Sequence, residues 1–229
     1  IKWLVENSPM VREAINQGRC MFGTVDSWLI WKLTGGVNGG IHVTDVTNAS
    51  RTNLMTLKTG EWNEQICADI GVPTAILPEI KSSSEVYGHV ASGRLAGVAI
   101  SGCLGDQQAA IVGHGCFQPG DTKNTYGTGC FMLFNTGSDI VLSNSGLLST
   151  ACYQLGPDEP IKYALEGSIA VAGVGVRWLR DNLKIITEIS QVNKLAGSIP
   201  NNEDVMFVPA FEGLYAPYWR GDARGLIIG

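Results

Sequence analysis

Between Thr122 and Leu165 the chain carries four strand-like segments in succession, at 122–126, 130–135, 146–154 and 161–165, with no helical pattern between them. Turn residues separate them, among them Gly127-Thr128-Gly129 and Leu155-Gly156-Pro157-Asp158. Short runs punctuated in this way are the signature of an antiparallel meander. Parallel neighbours would each need a long crossover between them. A meander in mid-chain therefore excludes an all-helical fold.

The flanking pattern narrows the choice further. Before Gln118–Asp121, a candidate boundary, helix and strand signals alternate. Ser8-Pro9 is a capped helix start and Gly18 a helix stop, so a helix is predicted to about Gln17. Cys20–Gly23 reads as a short strand. Thr24 is placed to cap a helix carrying Trp28 and Trp31, both expected in the core. Ile41–Thr44 reads as a strand, 45–52 as a polar connector and Trp62–Ile70 as a helix. Val98–Ser101 reads as a strand leading into a helix over 107–112. After the meander, helix returns at Ser168–Asn182 and about Thr187–Ala196. A strand at Val205–Pro209 and an aromatic loop at Gly213–Trp219 follow. Meander, helix, strand suits a ribonuclease-H-like α/β domain better than a doubly wound one.

Composition removes several classes of partner. The 229 residues have a net charge of -5, and their Lys and Arg are scattered, so nothing favours nucleic acid or an anionic membrane surface. The six cysteines form no C-x-x-C pair and there are three histidines, which argues against a zinc site or a disulfide framework. They read as small buried apolar thiols in a reducing, cytoplasmic setting. No apolar run approaches the ~20 residues of a membrane span. Ile1-Lys2-Trp3-Leu4 reads as mid-helix and Gly225–Gly229 as a strand, so the chain is expected to be an internal piece of a longer one.

Two motifs carry chemistry. Asp106 lies in Ile-Ser-Gly-Cys-Leu-Gly-Asp-Gln-Gln-Ala-Ala (100–110), where an apolar run stops and a small-residue helix begins. It can act as that helix's N-cap or as a general base. Thr128 stands between two glycines in Lys-Asn-Thr-Tyr-Gly-Thr-Gly-Cys-Phe (123–131). The turn is either an ordinary hairpin or a place where backbone approaches phosphate.

Six blocks in order resemble one family: Phe22–Trp31, His42–Thr52, Gly105–Ala110, Lys123–Phe131, Tyr163–Gly167 and Pro209–Trp219. They look like the FGGY carbohydrate kinases, and the longer blocks look most like the glycerol kinase branch. The resemblance implies an α/β fold of two actin-like ATPase (ribonuclease-H-like) domains. Residues 1–118 would be the later part of the N-terminal, glycerol-side domain, and 119–229 the earlier part of the C-terminal, nucleotide-side domain. It implies ATP-dependent phosphorylation of glycerol, with Mg2+ ligands mostly outside this chain. It makes Asp106 the base and a glycerol contact, Gln107 a second glycerol contact and Phe131 an apolar wall. Thr128 and Gly173 become nucleotide contacts. Arg177 stands where bacterial members carry Gln, as in eukaryotic forms, and either meets phosphate or swings to solvent. Residues 91–99 show no clear match to the loop that binds a sugar bisphosphate inhibitor. A kinase of another polyol or sugar, and a non-catalytic nucleotide-binding protein, are the alternatives. A homo-oligomer is compatible with all of them. With the first phosphate loop and the adenine segment expected beyond the two ends, these 229 residues alone are expected to show no turnover.

Overall fold

A computed structural model describes residues 1–229. Helices α1 (Lys2–Asn7), α2 (Pro9–Asn16) and α3 (Val25–Leu33) open the chain. Then come β1 (Val43–Asp45), α4 (Val46–Ser50), β2 (Met55–Thr56), β3 (Glu61–Trp62), α5 (Glu64–Asp69), β4 (Glu79–Lys81), β5 (Gly88–His89), β6 (Ala99–Ile100) and α6 (Asp106–Gly113). Four strands follow: β7 (Thr122–Tyr126), β8 (Cys130–Gly137), β9 (Leu148–Tyr153) and β10 (Lys162–Ile169). Helices α7 (Gly173–Asp181) and α8 (Gln191–Ala196) and strands β11 (Met206–Val208) and β12 (Leu226–Ile228) complete it.

The four central strands are hydrogen-bonded in the order β7-β8-β10-β9. A plain meander would have put β9 beside β8. The Gly127–Gly129 turn joins β7 to β8 in a tight antiparallel hairpin, Tyr126 opposite Cys130. The β8–β9 connection, residues 138–147, is long enough to carry β9 past the place that β10 takes.

The chain divides into two compact units. The first comprises Ile1–Pro119, Asn135–Ile140 and Thr150–Ala164. Its core is built from small clusters. Leu54, Cys67, Val72, Ile76 and Leu77 form one, with Ile15, Phe22 and Trp62 packed against it. Val46, Ala49, Met55 and Ala151 form another. Strands β1 and β4 pair in parallel, Thr44 opposite Ile80. Aromatic side chains bury their rings and place their polar ends on carbonyls: Trp62 Nε1 donates to Pro78 O at 2.7 Å and Tyr163 Oη to Leu57 O at 2.8 Å.

Helix α2 has the expected bounds. Ser8 Oγ accepts from Val11 N, and Gly18 takes the left-handed conformation at φ 64°. Four other expectations fail in this unit. Residues 20–23 form no strand; Phe22 alone is held, its N donating to Ile76 O at 2.7 Å and its carbonyl meeting His42 Nε2 at 2.6 Å. Residues 45–52 contain a helix rather than a connector, because the Asp45 carboxylate accepts the backbone N–H groups of Thr47 and Asn48. The helix expected over 62–70 is split, since Trp62 pairs with Met55 in a hairpin and Asn63 caps α5 through Ile66 N. Trp28 is 56% exposed rather than in the core. It lines a cavity of about 870 Å3 with Met21, Phe22, Trp31 and His42.

The second unit comprises Gly120–Phe134, Val141–Ser149 and Leu165–Gly229. Here α7 packs through Trp178, whose ring stacks on Phe207 at 5.7 Å and tilts against Phe211 at 5.1 Å. Tyr215 stacks on Trp219 in the aromatic loop. The helix expected from Ser168 starts five residues later, because β10 runs on to Ile169. No helix of the chain is long and apolar enough to cross a membrane.

All six cysteines are free. Burial pushes the Cys152 thiol up to about 12. Burial also raises Cys67, and raises Cys103 with help from the nearby charges of Asp45 and Asp26. The thiolate is the reactive form, so these three should resist alkylation at pH 8. Peptide mass spectrometry after iodoacetamide is expected to find Cys20 and Cys130 modified first in the native protein. Equal labelling of all six without unfolding would contradict this placement.

Candidate functional site

In the first unit the chemistry centres on the start of α6. After β6 the chain runs extended through Gly105, which takes the N-cap position at φ -60° and ψ 153°. Asp106 is thus the first helical residue, not the cap. Its carboxylate is exposed, and Oδ1 accepts the amide of Gln107 at 2.8 Å. A negative charge in the first turn also faces the positive end of the helix. The opposite side of the helix is anchored: Ile111 is fully buried, and Gln108 donates to Ala151 O at 3.3 Å. Buried on one face and open at Asp106, α6 presents a carboxylate on a fixed support. Gln107, half-buried, lies beside it.

Behind Gly105 lies a network that sequence reasoning missed. Asp45 and Thr47 are fully buried. The Asp45 carboxylate accepts from Thr47 N, Thr47 Oγ1, Asn48 N, Asn48 Nδ2 and Ser83 Oγ, at 2.8–3.1 Å. Burial raises its pKa, and the donors from Asn48, Ser83 and Thr47 oppose that shift. Thr47 Oγ1 in turn accepts the Gly105 amide at 2.8 Å. The signal was present as Asp45-Val46-Thr47-Asn48, a carboxylate at capping distance from the residues it holds.

Asp26, Asp45 and Cys103 lie together closely enough to hold a cation. Their chemistry does not fit Mg2+, which takes hard oxygen ligands in octahedral geometry. The Asp45 oxygens are already taken up by five donors, Thr44 and Thr24 donate to Asp26, and the third member is a protonated thiol.

In the second unit the Gly127–Gly129 turn is clasped to the start of α7. Gly127 N donates to Gly129 O at 2.8 Å. Ala172 N and Val174 N donate to Thr128 O, and Gly173 N to Gly127 O at 3.0 Å. Those first amides of α7 are thus satisfied by the turn's carbonyls and are not open to an anion. A Cβ on Gly173 would stand 2.6 Å from Gly127 O, so this glycine has a packing reason apart from any ligand. Two side chains of the clasp are left at the surface. Thr128 is exposed, and Arg177 Nη2 donates to its Oγ1 at 3.3 Å. Arg177 therefore lies over the turn. Phe131, half-buried in β8 opposite Thr125, has its carbonyl 3.5 Å from the buried Lys123 ammonium, which also donates to Thr125 Oγ1. Asp106 and Gln107 thus fall in one unit and Thr128, Phe131, Gly173 and Arg177 in the other.

The architecture is that of the actin-like, ribonuclease-H-like ATPases. Residues 1–113 match the FGGY family of carbohydrate kinases, N-terminal domain, and residues 122–229 match the same family's C-terminal domain. The chain belongs to the FGGY family of carbohydrate kinases. Over its whole length it is 58% identical to a glycerol kinase of Beutenbergia cavernae and 56% identical to a probable glycerol kinase of Dictyostelium discoideum. It covers 45% and 44% of those proteins, so it spans less than half the length of the curated relatives it matches. Among solved structures, all of the chain superposes on 45% of a Plasmodium falciparum glycerol kinase with ADP, at a TM-score of 0.93 and 44% identity. A xylulose-type kinase of Brucella ovis superposes at 0.81 with 21% identity, a likeness of fold alone.

Proposed function

We propose that the protein containing this chain transfers the γ-phosphoryl group of ATP to glycerol, giving sn-glycerol 3-phosphate. The observation that carries the reading is an exposed carboxylate, Asp106, on a braced helix, in a chain more than half identical throughout to glycerol kinases. In this reading residues 1–118 belong to the glycerol-side domain and 119–229 to the nucleotide-side domain. The six free thiols suit a cytoplasmic enzyme.

A primary alcohol is a poor nucleophile at neutral pH. Asp106 accepts its proton as the new O–P bond forms and the bond from the γ-phosphorus to the bridging oxygen of ADP breaks. The carboxylate oxygen not bonded to Gln107 N receives that proton. The side-chain amide of Gln107 can donate to one hydroxyl of glycerol and accept from another. Phe131 supplies an apolar face for the carbon chain. On the nucleotide side, Thr128 Oγ1 and the Arg177 guanidinium meet phosphate oxygens, and Gly129 and Gly173 let the turn and helix lie close enough to aim them. The Asp26, Asp45 and Cys103 cluster does not suit the Mg2+ that accompanies ATP, and no step here depends on that ion.

The test is ADP release by the full-length protein with glycerol, with a pentulose and with neither. Glycerol-dependent release supports the reading. Release with the pentulose alone would make it a sugar kinase, and ATP binding without release would make it a non-catalytic nucleotide-binding protein. Arg177→Gln is expected to raise KM for ATP about 3–10-fold with little change in KM for glycerol, since an exposed cation on phosphate contributes only modestly. An unchanged KM for ATP would place the Arg177 side chain away from the nucleotide.

A further inference from the structure

We propose that Thr47, held by Asp45, is a positioning residue for Asp106: it fixes the Gly105 amide and through it the direction in which the carboxylate leaves α6. The inference rests on the kinase reading for its kinetic consequence, while the tether itself stands on geometry.

A threonine hydroxyl has one proton and two lone pairs. Thr47 Oγ1 commits its proton to Asp45 Oδ1 at 2.9 Å. A lone pair is left for the Gly105 amide, 2.8 Å away and 58 residues further along the chain. The polarity of this relay is set by Asp45, which as a carboxylate can only accept. Asp45 in turn cannot rotate, because Thr47 N, Asn48 N, Asn48 Nδ2 and Ser83 Oγ also donate to it. Asp45 and Thr47 are both fully buried, so water cannot take over the bond between them, and Thr47 Oγ1 has no solvent partner to turn to in place of the Gly105 amide.

Gly105 needs such a tether. It is the N-cap of α6, its own side chain is absent, and a Cβ there would stand 2.9 Å from Gln108 Oε1. Nothing but its backbone can hold it. The body of α6 is fixed separately by Ile111 and by the Gln108 bond to Ala151 O. Loss of the Thr47 bond should therefore loosen the first turn, where Asp106 sits, while the helix stays docked. A misplacement of about 1 Å at a reacting group can cost on the order of 100-fold in rate.

The experiment compares Thr47→Val, which keeps the shape and removes the hydroxyl, with Thr47→Ser, which keeps the hydroxyl. In the full-length protein Thr47→Val is expected to lower kcat about 10–100-fold with KM for ATP within about twofold, and Thr47→Ser to restore most of kcat. A purely structural role would not give this split or this rescue. Near wild-type kcat in Thr47→Val, or an equal loss in Thr47→Ser, overturns the proposal. Amide hydrogen exchange gives a second arm that needs neither turnover nor a folded variant. In the wild-type protein the Gly105 amide should be protected relative to that of the exposed Gly102, and a Gly105 amide exchanging as fast as Gly102 overturns the tether. A wild-type protein without glycerol-dependent turnover would sink the kinase reading, and the exchange measurement would still decide the tether.

Discussion

Replacing Asp106 by Asn in the full-length protein is expected to lower kcat for glycerol phosphorylation by about 100- to 10,000-fold, the range of a lost general base. Asn has the same shape and can still accept the Gln107 amide that Asp106 Oδ1 now holds at 2.8 Å. What it loses is the ability to take a proton. Asp106 is exposed, and the change removes only its favourable charge at the positive end of α6, so stability should fall by no more than about 1 kcal/mol, read as a small change in Tm. KM for ATP should be little affected, because the role given to Asp106 is to take the alcohol proton, while Thr128, Gly173 and Arg177 are the groups assigned to the nucleotide. The combination is diagnostic: a large fall in kcat with near-normal melting and normal ATP affinity. Near wild-type turnover in a folded Asp106→Asn protein would remove Asp106 from the base role.

Features set by local chemistry were legible from the chain alone. Ser8-Pro9 and Gly18 bounded α2, because a cap, a fixed φ and a left-handed glycine act within one turn. The run 122–126 matched β7 residue for residue, since the following glycine turn leaves little choice of register. What escaped depended on partners distant in sequence. Residues 45–52 read as a connector because they are short and polar, yet they hold a helix, and Asp45 and Thr47 are fully buried. Their polarity is spent on one another, on Ser83 and on Gly105, and no window of sequence shows that. Trp28 failed in the opposite sense: apolar composition argued for a core position, and no other element of these 229 residues covers it.

The site was legible as residue types more than as geometry. Asp106 was correctly placed at a helix start, but Gly105 takes the cap, which leaves the carboxylate outward. The GTG turn was visible as a turn, whereas its carbonyls, rather than its amides, meet α7. Gly173 shows why a glycine is hard to read. A ligand and a neighbouring carbonyl both exclude a Cβ, and only coordinates reveal Gly127 O at 2.6 Å.

That clasp carries the second large effect. Gly129→Ala would put a Cβ 2.5 Å from Ile169 O and 3.0 Å from Ala170 O, both backbone atoms that no rotamer change can move. The turn must then back away from the end of β10. Doing so stretches the bonds from Ala172 N and Val174 N to Thr128 O, 2.9 and 3.3 Å long, and displaces the Thr128 hydroxyl from Arg177. Overpacking of this kind costs about 1–3 kcal/mol, and ATP affinity should fall by about tenfold or more as the two phosphate-facing side chains separate. Gly127→Ala is the control. A Cβ there meets nothing nearer than 3.8 Å, so stability should change by less than about 0.5 kcal/mol. Urea unfolding and calorimetric titration with ATP would measure both variants. The two glycines flank the same threonine in the same turn, so composition and propensity treat them alike. Equal behaviour of the two variants would mean that the clasp does not hold the turn in place. A large loss confined to Gly129→Ala would tie nucleotide affinity to the contact between this turn and the end of β10.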